Sequence, residues 1–169
     1  MRRRNATLIP LVALAVVSCA SFGLQDVIQP PGFSEVDGQA AQLRLLLPSS
    51  NRPAGGAAVR LWTRVTNPNS ISLTLTQLAG DLFIGDAEAV QVEFPLGLPL
   101  VAGQDTIVPL DVSLDFDDVP RLGEAALATL VSGTMDYRLD ALIGVDAGLL
   151  GQPTFGPTTI LRGALRITR

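Results

Sequence analysis

Residues 71–77, ISLTLTQ, set Ile71, Leu73 and Leu75 against Ser72, Thr74 and Thr76. Successive side chains of an extended strand point to opposite faces of a sheet, so this alternation predicts a half-buried strand with its aliphatic side inward. The same period recurs outward from it. In DVSLDF, Val112, Leu114 and Phe116 face inward and Asp111, Ser113 and Asp115 outward. In YRLDALI, Tyr137, Leu139, Ala141 and Ile143 oppose Arg138 and Asp140, and near the C-terminus Leu161, Leu165 and Ile167 oppose Arg162, Arg166 and Thr168. Half-buried antiparallel strands carry this pattern.

Further strands are predicted over residues 39–47, 58–66, 81–84, 90–94 and 106–110. Turn formers separate them: Gly55 and Gly56, Asn67-Pro68-Asn69, Gly85-Asp86, and Gly103-Gln104-Asp105. Many short strands with frequent turns argue for an antiparallel sandwich or barrel, not a parallel sheet with crossover helices. One segment has another period. In DDVPRLGEAALATLVSG, Val119, Leu122, Ala126 and Leu130 form one helical stripe, Pro120 suits the first turn and Gly133 the C-terminal cap. The expected class is mainly β with one short helix.

The N-terminus reads as a targeting segment. Arg2, Arg3 and Arg4 precede an apolar run from Ala6 to Val17, and Ser18 and Ala20 flank Cys19, the single cysteine of the 169-residue chain. These are the parts of a secretory signal. The run is shorter than the roughly 20 apolar residues that span a bilayer, and Pro10 interrupts it. The boundary resembles a bacterial lipobox, which implies that Cys19 is acylated and becomes the first mature residue. An uncleaved anchor and an ordinary cleaved signal with an incidental cysteine are the competing readings. The expected organisation is a lipoprotein signal peptide over 1–18, the lipidated Cys19 and a tether over 19–37, and a β-domain over 38–169. The tether's few apolar residues could instead dock as an extra edge strand. Such a protein is exported to the cell envelope and held at a membrane, the outer one where two exist.

Removing residues 1–18 leaves nine arginines against 16 acids, a charge of −7 with no lysine at all. An acidic domain without a basic stripe is a poor partner for nucleic acid. With no histidine, triads, HExxH zinc sites and imidazole acid/base chemistry are excluded. Gly55 and Gly56 fit neither phosphate-loop frame. No enzymatic activity, cofactor or metal is expected. Asp111, Asp115, Asp117 and Asp118 form an oxygen-rich cluster, which solvent-facing strand positions and a helix N-terminus also explain. Trp62 is expected in the core or on a half-buried face.

The segments VTNPNSISLTLTQLAGDLFIGD, SGTMDYRLDALIGVD and TTILRGALRI, in this order around one short helix, resemble the late embryogenesis abundant group 2 family. Its module is the WHy domain, named for water stress and hypersensitive response. The resemblance covers about residues 39–168, and the turn Asn67, Pro68, Asn69 is its most specific mark. It implies a fibronectin type III or immunoglobulin-like antiparallel β-sandwich and a non-enzymatic role in desiccation and stress responses. Partners expected on this reading are the membrane, through the lipid anchor, and client proteins. The alternative is an apolar-ligand carrier, motivated by the leucine-rich LRLLLP and FPLGLPLV segments.

Overall fold

The computed structural model describes residues 27–85, 90–118, 121 and 133–168. Eight strands follow one another: β1 (Gly32–Glu35), β2 (Gln42–Leu46), β3 (Gly56–Thr66), β4 (Leu73–Ile84), β5 (Val90–Leu100), β6 (Asp105–Asp115), β7 (Thr134–Asp146) and β8 (Thr154–Thr168). They form one sheet in which β6 pairs with β3, and β2, β8, β7, β4 and β5 follow in that order. β1 and β2 lie end to end on the same side of β3: β2 pairs with residues 56–60 and β1 with residues 63–66.

The chain is therefore mainly β, as its alternation predicts. The expectation of an antiparallel sheet needs one correction. β2 runs parallel to β8, with Gln42 opposite Arg166 and Arg44 opposite Thr168, so the sheet is mixed. Alternation fixes which face a side chain takes, not which neighbour a strand meets or in which direction. Two other boundaries also change. The segments read as separate strands at 71–77 and 81–84 are one strand, β4, and those at 106–110 and 111–116 are one strand, β6. In β4 the register shifts between Leu75 and Gln77. The inward set switches there from Leu73 and Leu75 to Leu78, Leu82 and Ile84, as one extra residue in a β-bulge requires. Ile71, expected inside, precedes β4 and is exposed.

Inward side chains from both arms of the sheet meet in a single cluster. Leu43, Val59, Leu61, Leu110 and Leu114 come from one arm, and Leu75, Leu78, Leu82, Leu100, Leu139, Ile143 and Leu165 from the other. Each fully buried leucine or isoleucine contributes about 1.5–3 kcal/mol relative to exposure. The run FPLGLPL, which looked continuously apolar, alternates after all. In β5, Phe94, Leu96 and Leu98 pack against the core with Leu100 buried, while Pro95, Gly97 and Pro99 face outward. β5 ends the sheet order, and an edge tolerates prolines, which cannot donate to a further strand. Gly80 marks a close approach: a Cβ there would lie 2.6 Å from the Ala141 Cα and overlap the Asp140 carbonyl.

Residues 27–37, assigned from sequence to the tether, lie on the domain. Ile28, Pro31 and Val36 are buried, and β1 is the edge-strand alternative. The signal segment, Cys19 and the predicted helix, except Arg121, fall outside the described residues.

Candidate functional site

The family-motif turn closes β3 onto β4. Asn67 is completely buried, which for a carboxamide is tolerable only if every polar atom is bonded. Its Nδ2 donates to the carbonyls of Ile71 (2.8 Å) and Leu100 (3.0 Å). Its Oδ1 accepts from the Asn69 backbone N–H and from Asn69 Nδ2, both at 3.0 Å. The Asn67 N–H donates to the Gln104 carbonyl and its own carbonyl accepts from Gly103. One residue thus fastens three things: its side chain holds the turn itself and the end of β5, and its backbone holds the turn into β6.

Asn69 carries the connection outward. Its Nδ2 donates to the Gln29 carbonyl at 2.9 Å, and its Oδ1 accepts from the Gln29 N–H at 2.8 Å. The carboxamide thereby copies the two-bond exchange of a strand pair and clamps the segment leading into β1. Pro68, between them, is exposed. The polar groups of this turn are occupied in joining backbone to backbone.

A second polar link, part-buried, joins β1 to β7. The Tyr137 hydroxyl donates to Glu35 Oε1 at 2.8 Å, and Gly163 on β8 lies beneath the Glu35 carboxylate. Tyr137 is 4% exposed. Burial raises its phenol well above the ordinary range, and the hydrogen bond to Glu35 and that group's charge act in the same direction. Thr63, also fully buried, donates to the Ser34 carbonyl at 3.3 Å. β1 is therefore held by side chains as well as by its ladder. Neither Glu35 nor Gln29 stood out in the sequence, since Glu35 lies 102 residues from its partner.

The acidic cluster does not converge. Asp111 takes two bonds from Arg60, at 2.6 and 3.0 Å, and Asp115 pairs with Arg52. Asp117 accepts from the Ala54 N–H at 3.4 Å. Among the described residues no three His, Cys, Asp or Glu side chains form a group able to hold a metal. Trp62 lies half-buried on the outer face of β3, with the Arg60 guanidinium 5.9 Å from its ring centre.

Residues 63–158, more than half of the chain, match the late embryogenesis abundant protein family. The chain belongs to this family. The match runs from inside β3 into β8 and includes the Asn67 turn. Among solved structures, this LEA protein resembles the solution structure of AT1g01470 from Arabidopsis thaliana. The identity is 22%, 84% of this chain and 85% of that one are covered, and the TM-score is 0.56. It also resembles the solution structure of a putative late embryogenesis abundant protein, At2g46140.1. There the identity is 16%, the coverage 76% and 72%, and the TM-score 0.45. No curated protein matches the chain.

Proposed function

We propose that this LEA protein is a non-enzymatic, lipid-tethered group 2 member with a WHy-type sandwich domain, which protects envelope components or client proteins as water is withdrawn. The family match over residues 63–158 carries the reading. The residues are consistent with it. Every buried side-chain nitrogen and oxygen among the described residues has a hydrogen-bond partner, and the sequence supplies no histidine for acid/base work. A domain of this kind acts through its surface and its cohesion. The signal segment over residues 1–18, followed by Cys19, supports export and acylation, and a protein carrying several acyl chains stays on a membrane.

The second reading, an apolar-ligand carrier, drew on the leucine runs. The inward members of FPLGLPL pack against the core, which gives that run a structural role and favours the first reading.

Cells of a lipoprotein-processing bacterium that express the full chain should survive drying and rehydration better than cells with an empty vector. Equal survival, at verified expression and acylation of Cys19, would contradict the proposal.

A further inference from the structure

The chain enters the domain at the end where the turns after β3, β5 and β7 gather. Leu73 lies opposite Leu100 and Thr74 opposite Asp146, and Gly32 lies opposite Thr66, which itself faces Asp105. Residues 27–31, 67–72, 101–104 and 147–153 therefore share this end, and none of them is ionisable. Four of the seven exposed large apolar side chains among the described residues sit on them: Val27 (68% exposed), Ile71 (37%), Val101 (48%) and Leu149 (102%).

The nearest carboxylates are turned to other work. Asp105 accepts from Thr66 Oγ1 at 2.7 Å and lies 4.0 Å from Arg64. Asp146 accepts from the Gly148 N–H at 2.7 Å and from Gln152 Nε2 at 3.2 Å. These bonds brace the 3₁₀ turn Gly148–Leu150 that holds Leu149 wholly in solvent. Asp117 and Asp118 belong to the opposite end, past the Gly56–Asp115 pair, where Asp117 accepts from the Ala54 N–H, and Asp37 lies between β1 and β2, beside the middle of β3.

We propose that this uncharged end docks on the lipid bilayer, with Leu149, Val101 and Val27 entering its interfacial layer. The proposal rests on acylation of Cys19. From Cys19 to Val27 the chain spans at most about 28 Å when fully extended. Strands of 11–13 residues, such as β3 to β7, span roughly 35–45 Å. The anchor thus holds this end nearer the membrane than the opposite one. A face without charge suits an acidic domain, because carboxylates pressed against lipid would be desolvated without partners. Asp26 is the one acid in the connecting segment, which also carries the apolar Phe22 and Leu24.

The test places a reporter at each end of the acylated full chain. Trp62, the sole tryptophan, is first replaced by Phe. Leu149→Trp then reports the proposed docking end, and Leu47→Trp, at a position 85% exposed, reports the opposite one. Both proteins are reconstituted in phosphatidylcholine vesicles with brominated acyl chains, and acylation is checked by intact mass. Docking predicts at least about twofold stronger quenching of the Leu149→Trp protein than of the Leu47→Trp protein. Equal or absent quenching in an acylated, vesicle-bound chain overturns the docking face and leaves the anchor standing. A chain that carries no acyl group at Cys19 overturns both.

Discussion

The Tyr137 hydroxyl lies 2.8 Å from Glu35 Oε1 and joins β7 to the edge strand β1. A buried hydroxyl bonded to a carboxylate favours its protonated form. The folded-state pKa of Tyr137 is raised. Its contribution to stability is therefore complete below the unfolded phenol value of about 10 and is lost as pH climbs through the higher folded value.

Tyr137 is the only tyrosine, so tyrosinate absorbance reads this group alone. The folded protein should show no tyrosinate near the ordinary phenol pKa, and the signal should appear only at higher pH or together with unfolding. Tyr137→Phe should flatten the alkaline loss of stability measured by denaturant titration. A signal at the ordinary phenol pKa in the folded protein would contradict the burial of Tyr137 and its link to Glu35.

Gly163 and Gly80 separate two kinds of close approach. A Cβ at Gly163 meets the Glu35 carboxylate, the mobile end of a side chain, so Gly163→Ala should fold with little loss of stability. It should nonetheless push Glu35 off Tyr137 and lower the tyrosinate midpoint part of the way, since burial remains. A Cβ at Gly80 meets the backbone of Asp140 and Ala141 on β7, which cannot yield without moving the sheet. Gly80→Ala should cost about 1–3 kcal/mol, measured by denaturant unfolding.

Asn67→Ala removes four side-chain bonds at a fully buried position and leaves the Leu100 carbonyl without its side-chain donor. Chemical denaturation should show a loss of about 2–3 kcal/mol. Pro68 is exposed, and Pro68→Ala should cost no more than about 1 kcal/mol, through the greater freedom of the unfolded chain.

Asn69→Ala should act locally. It removes both bonds to the Gln29 backbone, so the Gln29 amide should exchange its hydrogen faster and the segment before β1 should become a protease site. Slower or unchanged exchange at Gln29 would mean that the clamp contributes nothing.

Much of this architecture can be read from alternation alone. Tyr137, Leu139, Ala141 and Ile143 are all buried as their spacing requires, and Leu110 and Leu114 continue one inward row through β6. The breaks in the reading have local causes. The extra residue near Thr76 reverses the phase of β4, so one strand resembled two. Pro95 and Pro99 disguised an edge strand, because proline is a turn signal in the absence of topology. The parallel pairing of β2 with β8 joins distant segments and leaves no mark in either. At the turn, the residue types Asn67 and Asn69 were legible, but their partners Leu100 and Gln29 were not, because a side chain's spacing carries no record of a distant carbonyl.

Protection during drying is the central claim, and it is measured most directly by drying a desiccation-sensitive enzyme beside the folded domain, residues 27–168, and beside an equal mass of an inert protein. The account predicts that the enzyme recovers more activity beside the domain, and that the advantage shrinks with the destabilised Asn67→Ala variant. Equal recovery beside the domain and the inert protein would contradict it.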